Sequence, residues 1–493
     1  MLSQSVMMLC AIFVPILWGL GLLVKPEFKV RASMTRLFGL GLVAAAGLGL
    51  LALTKEAGSY TLLSLGNNME IFFHLDALGK ILAIVVTIAW VLVGFYSMEY
   101  MKHEKEEKRY YGFYLMVFGV LYALLFAGNL VTYYFFYEMM TLLSVPLIMH
   151  TKTREAIVGG LKYLFYSLFG AYMVLFGLYF LNKYATTLEF QAGGTLNLEL
   201  VSGNANLLCV VAFSMILGFG VKAGMFPLHG WLPTAHPVAP APASAVMSGV
   251  IVKMGVLGII RVVYYIMGAE FLRGTWVQKA WIILTLVTIF MGSMLAYREK
   301  VLKKRLAYST VSQISYILFG LAMLQPEAFT GSVLHIVFHI IIKSLLFMSA
   351  GAIIYKTGKT NVNELRGIGK KMPITIWCYT IASLALIGIP PMSGFISKWY
   401  LAIGSLKTGM PVFSWFGPVV LLVSALLTAG YLLPISIQGF LPGADYNYSK
   451  LKKKEPVKMM VVPLVVLASL ALLLGVFPNI LTDFISNIVK GVL

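Results

Sequence analysis

The chain has 493 residues, of which 59% are hydrophobic and only 12% charged. That balance excludes a soluble globular domain and fits a polytopic membrane protein. The net charge of +19 does not point to nucleic acid, because the basic residues gather in short loops between apolar runs, the pattern that orients a chain in a membrane.

At about 20 residues per span, the apolar runs predict an all-α polytopic membrane protein with fourteen transmembrane helices. They lie near 3–24, 34–54, 77–98, 112–128, 130–149, 160–182, 207–226, 241–267, 276–297, 306–324, 331–355, 373–403, 411–440 and 457–480. The boundary between the fourth and fifth rests on Gly128–Asn129. The first run continues into further spans, so no cleavable signal is expected. Loops that follow odd-numbered helices carry 26 Lys and Arg, against 7 on the opposite side. This bias predicts an even number of spans and both termini on the outer side of a cytoplasmic membrane. Lys222, Lys253, Lys343 and Lys398 remain well inside spans, whereas Lys80 lies near a helix end and can snorkel.

An internal repeat relates helices 4–8 to helices 9–13 in order. The segment 162–177 (KYLFYSLFGAYMVLFG) resembles 343–355 (KSLLFMSAGAIIY). The seventh helix, with Lys222 before a break at Pro227, pairs with the twelfth, with Lys398 after a break at Pro390–Pro391. Paired elements lie five helices apart, so the repeats must be inverted across the membrane. Inverted repeats with broken helices mark an ion pathway near the midplane. The chain divides into 1–111 (helices 1–3), 112–270 (first repeat), 271–442 (second repeat) and 443–493 (helix 14).

Within 214–263, two apolar helices flank a hinge rich in proline, and each carries a lysine, Lys222 and Lys253. A lysine at mid-span costs about 2.5–3.5 kcal/mol on insertion scales, so two of them beside a broken backbone suggest use. Glu138 is the only acid in the fifth helix; a lone carboxylate there needs a cation or a proton. Glu138 with Lys222 forms a candidate switchable pair. His335, His339 and Lys343 fall at i, i+4 and i+8 on one helical face. Such a stack suits a proton relay better than a metal, because no acid or cysteine lies near to complete a tetrahedral set. Lys398 follows a Pro-Pro/Gly interruption that frees backbone carbonyls and admits water. His229 and His236 flank the other break and either cap backbone groups or relay protons. No metal ligand set or cofactor site is expected: Cys10, Cys209 and Cys378 are scattered, and no nucleotide-binding glycine loop appears. The run EYMKHEKEEKRYYG reads as a solvated loop. KLKKKEPVK reads as an anchor to anionic lipid or a partner subunit.

Together, FFYEMMTLLSVP around Glu138, GVKAGMFPLHGWLPTAHPVAPAPASA, GVIVK, HIIIKSLLFMSAG and GIPPMSGFISKW resemble the antiporter-like subunits of respiratory complex I, of Mrp-type sodium/proton antiporters and of membrane-bound hydrogenases. The resemblance spans nearly the whole chain. It implies that Glu138 and Lys222 form the first ion pair, that Lys253 joins the halves through His335, His339 and Lys343, and that Lys398 ends the second channel. Lysine at 253 matches the fourth-subunit type of complex I. Lysine at 398 departs from that type, which usually has glutamate there, and the chain lacks the long lateral helix of the fifth-subunit type. The mixture looks most like the D-type component of Mrp antiporters, or its counterpart in hydrogenase-type complexes. The implied function is proton translocation, or Na+/H+ antiport, through two half-channels, within a multisubunit assembly in a prokaryotic cell membrane. The partners would be other membrane subunits and lipid, with no nucleic acid and no redox centre in this chain. The alternatives are a standalone secondary transporter of a small solute and a structural subunit with inert charges.

Overall fold

A computed structural model of the protein describes residues 3–25, 28–55, 58–64, 66, 69–447 and 454–493. Part of the basic run KLKKKEPVK, residues 450–453, lies outside them.

The chain opens with α1 (Gln4–Val24) and α2 (Arg31–Leu53), then departs from the all-α expectation. An antiparallel hairpin follows, β1 (Ser59–Ser64) with β2 (Glu70–His74), paired from Ser59 opposite His74 to Ser64 opposite Glu70. The inner strand alternates, with Ile71 and Phe73 buried, the period-two pattern of a half-buried strand. Asp76 then caps α3 (Ala77–Tyr100), its Oδ1 accepting from the Gly79 N–H at 2.8 Å. α4 (Glu107–Leu125) starts one turn earlier than the apolar pattern suggests, because its first turn is charged. Asn129 caps α5 (Leu130–Ile148) and Thr153 caps α6 (Arg154–Tyr184); each side-chain oxygen satisfies an orphan N–H. The Gly128–Asn129 boundary therefore stands.

The turn α7 (Leu198–Val201) leads to α8 (Ala205–Ala223), which stops at Gly224 with φ +78°. After the hinge, with its cis Phe226–Pro227 bond, come α9 (Leu232–Val238) and α10 (Ala241–Val246). The stretch 241–267 is not one α-helix as expected. A π-helical turn (Met247–Ile251) precedes α11 (Val252–Ile260), and a second π segment (Arg261–Met267) follows it. The carbonyls of this loosened end are satisfied across the chain: Gln191, Gly193 and Thr195 N–H groups donate to Tyr265, Tyr264 and Ile266 O at 3.3, 3.1 and 2.7 Å.

The second half runs through α12 (Ala269–Leu272), α13 (Trp276–Arg298), α14 (Leu302–Ala322), α15 (Pro326–Thr357), α16 (Ile368–Lys371), α17 (Pro373–Ile387), α18 (Ser393–Leu406), α19 (Pro411–Phe440) and α20 (Lys458–Val476). The region 373–403 is broken between α17 and α18 around the cis Pro390–Pro391 bond. Only glycine fits at 394, where a Cβ would run into the Ala385 carbonyl. A further helix that the sequence reading missed, α21 (Asn479–Val492), buries Ile485, Ile488, Val489 and Val492 and packs on α15 and α3.

Eleven helices among the described residues are long and apolar enough to cross a bilayer. The tyrosine- and serine-rich α4 and α14 and the split pair α17–α18 fall outside that criterion. The span 241–267 is buried throughout, and 326–357 is buried from 328 to 353. α15 is enclosed by α3, α10, α14, α17, α18 and α20. A membrane protein must keep ionisable helices away from lipid, and these two spans carry four of the eight buried lysines and histidines among the described residues.

One end of the bundle is stapled by exposed or half-exposed ion pairs: Arg31–Glu107 at 2.5 Å, Arg109–Glu106 at 2.7 Å, and Lys152–Glu106. Beneath them His150, 3% exposed, packs edge-on against Tyr110 at 5.7 Å. Burial and then the Arg109 charge push the His150 pKa down to about 4. The unfolded value is about 6.5, so the unfolded chain binds the extra proton and stability should fall as pH drops from about 6.5 to about 4, then level off. His150→Gln is expected to flatten that part of the curve of melting temperature against pH; an unchanged curve would refute the assignment.

Candidate functional site

The helices α8, α9, α11, α15 and α18 hold a set of interior titratable side chains. Lys222, Lys253, His236, His335, His339 and Lys343 are each at most 1% exposed. His335 and His339 stack along α15 with ring centroids 5.9 Å apart, as their i, i+4 spacing requires. His335 Nδ1 pairs with Ser397 Oγ at 2.8 Å, beside Lys398. The Tyr316 ring joins the same group, stacked on His335 at 5.9 Å and lying under the Lys398 ammonium at 4.9 Å. Lys398 Nζ donates to Leu386 and Ile387 O at 2.7 and 2.9 Å. These are carbonyls that the break after α17 leaves without helical partners.

On the other side of the histidines, Lys343 Nζ donates to Ser309 Oγ at 2.7 Å and Leu306 O at 3.1 Å. Lys253 Nζ donates to Ser248 O in the first π turn. Ser248 Oγ in turn pairs with Thr310 Oγ1 at 2.7 Å. His339 has Lys253, Lys343, His335 and Lys398 as its charged or titratable neighbours. His236 faces Lys303, Lys343 and Lys253. Of the two hinge histidines, His236 therefore belongs to the set. His229 stands apart, against Phe226 with Lys162 as its nearest charge.

Both ring nitrogens of His236 and of His339, the Nε2 of His335 and the whole amide of Gln313 have no protein hydrogen-bond partner among the described residues. Buried polar atoms are satisfied by protein or by ordered water. A concentration of such atoms around Lys253, Lys343 and Lys398 therefore calls for water within the set.

The pair implied for Glu138 and Lys222 needs correction. They are electrostatic neighbours, yet no direct ion pair joins them. Lys222 Nζ donates to Thr141 Oγ1 at 2.5 Å and to Tyr163 OH at 3.3 Å, and sits 4.6 Å from the Tyr137 ring centroid. Glu138 borders an apolar groove of about 430 Å³ with Tyr134, Phe135, Met139, Leu142, Leu175 and Leu178. Its Oε1 has no protein partner. The 100° step between successive helical residues sets which neighbours a side chain meets. Sequence spacing does not reveal which of them a lone acid takes.

No group of three His, Cys, Asp or Glu among the described residues comes together in a way that would hold a metal ion.

The family profile described as "NADH:quinone oxidoreductase/Mrp antiporter, TM" matches residues 127–429, and "NADH-Ubiquinone oxidoreductase (complex I), chain 5 N-terminus" matches 63–111. The chain belongs to the NADH:quinone oxidoreductase/Mrp antiporter family. It is 31% identical over 429 residues to the N-type component of the NADH-quinone oxidoreductase of Desulforudis audaxviator (strain MP104C), covering 84% of this chain and 83% of that one. It is 30% identical over 442 residues to the D-type component of the Na(+)/H(+) antiporter of Bacillus subtilis (strain 168), covering 87% and 86%. In fold it matches a chain of the Mrp complex from Dietzia sp. DQ12-45-1b with a TM-score of 0.85 at 22% identity, covering 99% of this chain and 97% of that one.

For this antiporter-family chain, the sequence reading missed Thr141, Tyr163, Ser309, Ser397 and Tyr431. Thr141 had a signal, one helical turn after Glu138. Tyr431 had none, because an isolated tyrosine in an apolar helix does not reveal what it faces.

Proposed function

We propose that this chain is a proton-translocating membrane subunit of a multisubunit assembly of the complex I, Mrp or hydrogenase kind. Protons move through two half-channels joined by Lys253, His335, His339 and Lys343, with Glu138 and Lys222 at one end and Lys398 at the other. His236 serves as a side branch of the row. The observation that carries this reading is the buried line of lysines and histidines whose ring nitrogens lack protein partners. A charged group in a span is costly, and a structural role would pair each one with an opposite charge. Here the lysines meet hydroxyls and carbonyls, which hold an ammonium without neutralising it.

The same reading assigns fourteen spans, the eleven long helices plus α4, α14 and the α17–α18 pair. Two inverted five-helix units fill 112–270 and 271–442, flanked by 1–111 and 443–493. The breaks after α8 and α17 hold corresponding places in the two units. Both termini lie on the outer side of a prokaryotic cell membrane, as the basic loops require. The relatives' names favour a subunit over a standalone solute transporter, and the Glu138 groove supports a lateral neighbour. Sodium as the counter-ion is the second reading, supported by the 30% identity to a component of the Bacillus subtilis Na(+)/H(+) antiporter.

The test is ion transport by the assembled complex in proteoliposomes. Glu138→Gln and Lys222→Ala are each expected to lower proton movement on the order of 10²-fold, the scale of a positioned proton-transfer group. Wild-type transport in both variants removes the proposal.

A further inference from the structure

Lys222 and Lys343 sit in different halves of the chain, yet their surroundings repeat. Both are fully buried and neither touches a carboxylate. Each ammonium donates to a hydroxyl on a neighbouring helix: Lys222 to Thr141 Oγ1 on α5 at 2.5 Å, Lys343 to Ser309 Oγ on α14 at 2.7 Å. Each hydroxyl is accompanied by a buried tyrosine from a third helix. Tyr163 on α6 lies 3.3 Å from Lys222 Nζ, and its OH pairs with Ser144 Oγ at 2.8 Å. Tyr431 on α19 donates to Ser309 Oγ at 2.8 Å and approaches Thr428 Oγ1 at 3.3 Å.

We propose that Ser309–Tyr431 and Thr141–Tyr163 are positioning pairs that hold Lys343 and Lys222 in both the protonated and the neutral form by rotation of a hydroxyl. This rests on the proton-transport reading above and deepens it. A hydroxyl has one donor hydrogen and two acceptor lone pairs, and the hydrogen rotates to suit its partners. With Lys343 protonated, Ser309 Oγ accepts from both the ammonium and Tyr431. When the ammonium gives up its proton, the amine gains a lone pair and needs a donor. The Ser309 O–H turns to supply it, while Tyr431 keeps donating to Ser309. No backbone moves and no buried atom is stranded. A carboxylate in the same place would favour the charged form alone.

The two hydrogen bonds are not of equal strength, because the one that involves the ammonium is charge-assisted. Removing Ser309 Oγ therefore weakens the protonated form more than the neutral one. Lys343 would then hold its proton only at lower pH. The other titratable groups that face Lys343 are His236 on α9, Lys253 on α11 and His339 on its own helix. All three remain in the variants, so their contribution to the pH profile is common to every measurement.

The experiment is the pH profile of proton transport by the assembled complex in proteoliposomes, with assembly checked for each variant. Ser309→Ala is expected to move the profile toward acid by about one pH unit, a tenfold change in proton affinity. Tyr431→Phe, which removes one oxygen and keeps the ring, should move it toward alkali by less, because Ser309 Oγ without the Tyr431 donor accepts more strongly from the ammonium. Ser309→Thr restores the hydroxyl and should restore the wild-type profile. Lys343→Ala is the control for the parent reading: full transport in that variant overturns the transport proposal itself. If Lys343→Ala abolishes transport while Ser309→Ala and Tyr431→Phe only scale the rate at every pH, the parent reading stands and the positioning role is wrong. Should Ser309→Ala fail to assemble, the shift in Tyr431→Phe decides alone.

Discussion

Lys253→Met is expected to abolish proton transport by the assembled complex while leaving the chain as stable as the wild type or more so. Lys253 lies 1% exposed, where the first π turn meets α11, and its ammonium bonds to the Ser248 carbonyl. π turns in helices concentrate at functional places, and in this one the Ser248 carbonyl accepts from the Lys253 ammonium. Methionine has a similar shape and no proton. Transport should fall on the order of 10²-fold or more, the contribution of a positioned proton-transfer group. An ammonium at mid-span costs about 2.5–3.5 kcal/mol, so its removal should leave the melting temperature in detergent unchanged or raised. A purely structural lysine would show the reverse, a lower melting temperature with transport intact. Measuring both quantities on one preparation separates the two.

The largest effect on stability is expected at Asp76. Arg261, 1% exposed, opens the second π segment and donates to both Asp76 oxygens, at 2.5 and 2.8 Å. The rings of Phe190 and Tyr265 lie 4.7 Å from its guanidinium carbon. Burial works against the Asp76 carboxylate, but the Arg261 charge and hydrogen bonds outweigh it and hold the group below the usual carboxylate range. Asp76→Ala would strand the guanidinium and also remove the cap of α3. Breaking a buried pair from one side costs about 3–5 kcal/mol, and loss of a cap adds about 1 kcal/mol. The melting temperature should fall sharply. Asp76→Asn/Arg261→Gln, which leaves no buried charge, should recover most of the loss. Because the folded pKa of Asp76 is lowered, the pair's contribution is present above about pH 3.9 and is lost as pH falls through the folded value. If Asp76→Ala melts within a degree of the wild type, the pair contributes nothing to the fold.

Glu138 and Arg261 show how far spacing alone carries. Glu138 was legible as a lone acid in a span, but the groove it borders and the absence of a direct ion pair with Lys222 depend on how α5 rotates against α6 and α8. Arg261 counted in the sequence as one more basic residue near a span end. Only the arrival of Asp76, from 185 positions away, makes it half of a buried pair. The hairpin at 59–74 and the amphipathic α21 were missed for a related reason. Both are too short or too polar to register as spans, and both gain their order by packing on helices already in place.

The amino-acid sequence by itself determined that this is a membrane protein of many helices, where those helices break, and which lysines and histidines stand in them. Those features follow from local rules: apolar length, proline and glycine chemistry, and the 3.6-residue period. The tertiary structure decided the partners. Whether a buried ammonium meets a carboxylate, a carbonyl or a rotatable hydroxyl depends on the relative rotation of helices far apart in the chain, and no local pattern encodes that angle.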